Sequence, residues 1–141
     1  MPEGDIFAEV YDLLVRYAES IDRRDLEGVG DCFTSDARAT YAGTEVEGGR
    51  QAIVDYLADQ LTASAASTHA VGNVQFTKTG DGELAVESIV TATHVVPEGD
   101  RALIRTRGLR YSDTVVREGT GLLIKQRVHR ALWSTEMKGE A

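Results

Sequence analysis

The hydrophobic pattern changes its period once along the 141 residues, and this change limits the fold more than any single motif does. From Asp5 to about Arg24 the apolar residues recur every three or four positions, the spacing of one helix face. Glu9, Asp12, Arg16, Glu19 and Arg23 form the solvated face. Phe7, Val10, Leu14, Ala18 and Ile21 form the buried one, with Tyr11 and Tyr17 at its edges. Asp5 is placed to cap the start, where its carboxylate can accept from free first-turn amides. A short second helix is expected from Asp25 to Cys32 or Phe33, weakened by Gly28 and Gly30 at about 1 kcal/mol each. Residues 37–47 read as a small hairpin turning near Gly43. A third helix, about Arg50 to Ser64, follows and buries Ile53, Tyr56, Leu57 and Leu61.

Beyond residues 64–67 the period becomes two. Three long strand signals are separated by turn residues at 79–82 (TGDG), 97–100 (PEGD) and 118–121 (EGTG), each suited to an antiparallel hairpin. Helices in the first half and a meander of strands in the second describe an α+β fold, with helices on one face of a curved sheet.

The length suits one domain, 1–141, large enough to bury roughly two-thirds of its unfolded surface. With 15 Lys+Arg against 23 Asp+Glu, the net charge of −8 disfavours nucleic acid and anionic membranes as partners. No stretch approaches the ~20 apolar residues of a membrane span, and residues 1–10 lack the basic and apolar regions of a signal peptide. The only cysteine, Cys32, cannot form an internal disulfide, so a mature cytoplasmic protein is expected.

Asp22 breaks the amphipathic pattern. It falls about 40° from Ala18 and roughly 20° from Tyr11 on the helical wheel, inside the apolar arc. A carboxylate pointing inward needs a donor or cation nearby. Either it caps the next turn or pairs with Arg23 or Arg24, or it meets a donor inside a pocket. His69 opens the first long strand, whose alternation sets His69, Val71, Asn73 and Gln75 on one face and Ala70, Gly72, Val74 and Phe76 on the other. The first set either faces water or lines a wet cavity. The last strand similarly sets Lys125, Arg127, His129, Ala131 and Trp133 against Leu122, Ile124, Gln126, Val128, Arg130 and Leu132. His69, His94 and His129 have no second ligand at i+2 or i+4, so no metal site is predicted. GxGxxG, GxxxxGK[ST] and GxSxG are all absent.

Taken together, YAESIDRRDLEGVGDCFTSDARATY, EGGRQAIVDYL, STHAVGNVQF and the closing QRVHRALW resemble the SnoaL-like family of the nuclear transport factor two-like superfamily. The resemblance covers nearly the whole chain. It implies a cone-shaped α+β barrel with three N-terminal helices packed on a strongly curved, mixed, mainly antiparallel sheet. Its nearest pattern is the scytalone-dehydratase-like and hexachlorocyclohexane-dehydrochlorinase-like branch, which pairs an aspartate late in the first helix with a histidine heading the first long strand. Asp22 and His69 occupy those places. Asn73 and Arg127 match that branch's asparagine and last-strand arginine, and Tyr17, Tyr41 and Trp133 loosely match its substrate-lining aromatic residues.

The resemblance implies that Asp22 orients His69, which acts as general base toward a small apolar cyclic molecule such as a polyketide, steroid or terpenoid intermediate. Arg127, with Asn73 or His129, would hold the developing oxyanion or departing group. The implied activity is a lyase or isomerase of dehydratase type that needs no metal or organic cofactor. A polyketide cyclase or epoxide hydrolase using the same pocket, or a non-catalytic binding or dimerisation module, stands as the alternative. The resemblance also implies a homodimer or homotrimer, with Val86, Ile89 and Leu109 expected on the covered outer face.

Overall fold

A computed structural model describes residues 3–140. Three helices, α1 (Glu3–Arg23), α2 (Leu26–Gly30) and α3 (Arg50–Gln60), accompany six strands. These are β1 (Phe33–Tyr41), β2 (Thr44–Val46), β3 (Ala66–Gly80), β4 (Glu83–Glu98), β5 (Arg101–Glu118) and β6 (Gly121–Gly139). The sheet runs β2-β1-β6-β5-β4-β3. All its pairings are antiparallel except that of β1 with β6. The sheet is mixed and open, and α1 lies across its concave face against β3 and β6. This is the cone-shaped α+β architecture expected above. The three turns separate four long strands, one more than the strand signals counted in the sequence.

The core joins the inner stripe of α1 to the inward residues of the sheet. Val10, Leu13, Leu14, Tyr17, Ala18 and Ile21 are buried, whereas Phe7 is 46% exposed and Tyr11 42%. Leu13 takes the place expected of Phe7, because the buried arc is centred nearer Leu13 and Ile6 than the wheel placed it. Asp12–Arg16 and Glu19–Arg23 ion pairs run along the outer face. Asp5 does not cap α1; the helix begins before it, at Glu3, leaving Asp5 in the first turn. Asp25 instead caps α2, its side chain accepting from the amide of Gly28 at 2.9 Å. That helix stops at Gly30, and β1 has begun by Phe33, four residues before the expected hairpin. α3 ends at Gln60 rather than Ser64. Among the described residues no helix is long and apolar enough to cross a membrane.

Gly49 starts α3 with φ +82°, and a Cβ there would lie 2.5 Å from the carbonyl oxygen of Ser35. Both the left-handed backbone and the clash with main chain penalise a side chain. Gly49→Ala is expected to cost on the order of 1–3 kcal/mol, read as a lower urea midpoint at unchanged m-value.

Three bulges decide which side chains reach the interior. On β3 the register shifts between Gly72 and Gln75, with Asn73 at φ 50°. His69 and Val71 therefore face inward before the bulge, and Val74 and Phe76 after it. On β6 the register shifts at Lys125, so that Ile124 and Arg127 are both buried, and again at Leu132, which turns Trp133 outward opposite Gly108. A β-bulge adds one residue to one strand and reverses the alternation beyond it. Uninterrupted alternation from the sequence consequently misplaced Asn73, Trp133 and the Leu122/Ile124 pair. Of the residues expected on the outer face, Val86 and Leu109 are core residues, and Ile89 alone stays on the outside, half-buried.

Candidate active site

The last turn of α1 carries Asp22 to the start of β3, where its carboxylate accepts three hydrogen bonds. Ser67 Oγ donates to Oδ1 at 2.8 Å, the backbone amide of His69 donates to Oδ2 at 2.9 Å, and His69 Nδ1 lies 2.7 Å from Oδ1. Burial alone would raise the Asp22 pKa. The ring and charge of His69, the Ser67 hydroxyl and the His69 amide outweigh it, holding the carboxyl below its ordinary value. A carboxylate facing Nδ1 fixes the tautomer with the proton on that nitrogen. The second ring nitrogen, Nε2, is then the one toward the cavity that His69 lines.

Neither Arg23 nor Arg24 pairs with Asp22. Arg23 is committed to Glu19, and Arg24, at φ 60° just past the helix, reaches sideways. Its guanidinium donates to Ile21 O (2.7 Å), Ser67 Oγ (2.9 Å), and the carbonyl and hydroxyl oxygens of Ser64 (both 3.1 Å). Ser64 Oγ in turn lies 2.9 Å from His94 Nδ1, and the His94 ring stands edge-on to His69 with centroids 5.6 Å apart. Arg24 thus ties the end of α1, the α3–β3 link and both histidines into one network.

The cavity measures about 200 Å³ and is lined by His69, His94, His129, Arg105 and Arg107 together with Tyr17, Tyr41, Tyr56, Tyr111 and aliphatic side chains. The Tyr17 and Tyr41 hydroxyls are 2.9 Å apart. Burial raises both: Tyr41 to about 12, Tyr17 well above its ordinary value. Two neutral phenols need one proton for their mutual bond, leaving the other to donate to a ligand. His129 packs between Tyr41 and Tyr111, with centroids at 5.1 and 5.6 Å.

Three of the substrate contacts expected from the sequence are not in this cavity. Asn73 is exposed on its bulge, and Trp133 is 52% exposed on the outer face. Arg127 is fully buried beneath the cavity, not in its wall. Its Nε and Nη2 form a fork on the Asp113 carboxylate at 2.8 and 2.9 Å, and its guanidinium carbon lies 4.3 and 4.0 Å from the ring centroids of Tyr17 and Tyr111. It props up the aromatic floor. Sequence reasoning overlooked His94, Arg105, Arg107, Tyr56 and Tyr111 as wall residues. The signal for His94 was present: it continues the stripe of Leu84, Val86, Ser88, Val90 and Ala92 on β4. Arg105, Arg107, Leu109 and Tyr111 share the corresponding face of β5.

Burial, followed by nearby positive charge, pulls both His94 and His129 down to about 4. In the unfolded chain these imidazoles titrate near 6.5, so as pH falls the unfolded state takes up protons first. Their contribution is fully present above about pH 6.5 and lost between there and pH 4; Asp22 adds a further loss below its unfolded value, as it too becomes protonated. His129→Phe is expected to flatten the slope of unfolding free energy in that window by up to about 1.4 kcal/mol per pH unit, measured by urea titration at pH 4–7.

Residues 6–128 match the model of the SnoaL-like domain. The chain is 31% identical over 121 residues to the uncharacterized protein Rv2910c of Mycobacterium tuberculosis, covering 85% of this chain and 81% of that protein. Among solved structures it is similar to a candidate scytalone dehydratase from Novosphingobium aromaticivorans DSM 12444, at 22% identity and a TM-score of 0.84, over 96% of this chain and 89% of that one. It is also similar to a type 2 hexachlorocyclohexane dehydrochlorinase (LinA), at 14% identity and a TM-score of 0.83, over 96% and 90% of the two chains. These structural likenesses carry the fold. On the match across residues 6–128 and the identity to Rv2910c, the chain belongs to the SnoaL-like family.

Proposed function

We propose that the protein is a cofactor-independent lyase or isomerase that uses His69, held by Asp22, as general base on a small, largely apolar cyclic substrate. The observation that carries this reading is the double grip of Asp22 on one residue, through both the backbone amide and Nδ1 of His69, beside a cavity of ring size. A merely structural aspartate needs donors; it does not need to aim an imidazole. In the proposed step Nε2 takes a proton from a carbon next to a carbonyl or leaving group. The C–H electron pair becomes the new double bond, and water, halide or a similar group departs, or the double bond migrates. Asp22 stabilises the imidazolium that results. The spare phenol proton of the Tyr17–Tyr41 pair is a donor available to the departing or developing anion. The likeness to a dehydratase candidate and a dehydrochlorinase, two proteins named for eliminations, supports the same reaction class.

The test is turnover of a panel of hydroxylated and halogenated cyclic compounds without added cofactor, by the wild type, His69→Ala and Asp22→Asn. Turnover by the wild type alone is the expected result. Equal rates in all three would remove His69 and Asp22 from the mechanism, and no turnover in any would leave a ligand-binding module; either result rejects the proposal. The exposed Trp133 and Met137, which share the outer face of β6, support assembly into a homodimer or homotrimer.

A further inference from the structure

Acids outnumber bases 23 to 15 in this chain, yet the cavity wall contains no aspartate or glutamate and two arginines. The two are not equivalent. Arg105 is paired with Glu136 at 2.9 Å. Arg107 makes no hydrogen bond or ion pair among the described residues, although its side chain is half-buried and its charge is felt by His94, His129 and Tyr111. A guanidinium keeps its charge at every accessible pH and offers five donors in a planar fork. Leaving it partly desolvated without a counterion is unfavourable unless a ligand completes it.

The sheet register shows where such a ligand would lie. His69 on β3 pairs with Ala92 on β4, and Ala92 pairs with Arg107 on β5, so the three form one row across the inner face. Two strand spacings set the ends of the row roughly 10 Å apart. The residue between them is a buried alanine, whose methyl leaves a trough. A six-membered ring with one small planar substituent fits this trough and the volume of about 200 Å³; a dry cavity of roughly 150 Å³ is enough to hold benzene.

We propose that Arg107 binds a carboxylate carried by the substrate, so that the ligand of this cavity is a cyclic monocarboxylate anchored at Arg107 with its ring extending toward His69. This rests on the reading of the cavity as the substrate site and names the chemical class that site selects. The planar fork of Arg107 matches a carboxylate through two parallel hydrogen bonds. His94 and His129, both held to about 4, are neutral near pH 7 and do not supply this selectivity. Arg107 is a specificity residue; no proton moves through it.

The experiment is calorimetric titration of the full chain at pH 7.5 with benzoate and with benzamide, a neutral molecule of nearly the same shape. Wild type is expected to bind benzoate at least about tenfold more tightly than benzamide. Arg107→Gln should abolish that preference while keeping benzamide binding within about twofold, which also reports an intact cavity. Arg130→Gln removes one positive charge from the exposed side of β6 and should leave the preference unchanged. Failure of wild type to prefer benzoate, or a preference that survives Arg107→Gln, overturns the proposal. Neither probe can undergo elimination, so these affinities stand or fall independently of whether His69 proves catalytic.

Discussion

Asp22→Asn is expected to lower turnover by about 10²–10⁴ while leaving the fold intact. The reason is geometric. Oδ1 of Asp22 accepts from Ser67 and faces His69 Nδ1, while Oδ2 accepts from the His69 amide. An asparagine has one acceptor and one donor group to fill those two places. With its oxygen toward Ser67 and the ring, its NH2 meets the backbone amide of His69, donor against donor. Turned over, it presents NH2 to Nδ1 and drives the proton to Nε2, the nitrogen that must be bare to act as base. Either way the imidazole is disarmed. His69→Ala should lose at least as much, and the double variant little more than the worse single one, because the two act as a unit. Steady-state turnover of the best compound from the panel reads this directly. Additive losses would show that Asp22 and His69 act separately.

Arg127→Met is expected to cost about 3–5 kcal/mol of stability, a fall in Tm on the order of 10 °C. The guanidinium is the partner of an Asp113 carboxylate that, like it, is wholly hidden from solvent. Removing it strands a buried anion and empties the space between the Tyr17 and Tyr111 rings. The cost comes from leaving one partner behind, not from the worth of the pair. Arg127→Met combined with Asp113→Leu should therefore recover most of the loss. Thermal unfolding of the three proteins decides it. Below its own Tm the single variant should also retain far more turnover than His69→Ala, since Arg127 supports the cavity floor without lining it. Turnover as low as that of His69→Ala would restore Arg127 to the role of an oxyanion donor.

The helical stripe of α1, the third helix, the turn residues at 79–82, 97–100 and 118–121 and the switch to period two are local patterns, and each produced its element within a few residues. Asp22 was legible because a carboxylate in an apolar arc is anomalous on any wheel. Arg127 could not be placed the same way. Its alternation is correct only relative to its own strand, and the bulge at Lys125 resets the face before it, with no composition signal to mark the place. Asn73 and Trp133 were lost for the same reason at the bulges of β3 and Leu132. Arg107 was overlooked because nothing in its neighbours along the chain distinguishes a wall residue from a rim residue; its meaning comes from the row that joins β3, β4 and β5.

By itself the sequence determined the α+β class, the order of helices before strands, the inward aspartate and the resemblance to the SnoaL-like family. All of these depend on residues close together in the chain or on patterns that extend through it. Tertiary structure alone decided which polar side chains share the cavity. That outcome depends on strand register, and one extra residue in a strand exchanges its two faces without changing any local preference.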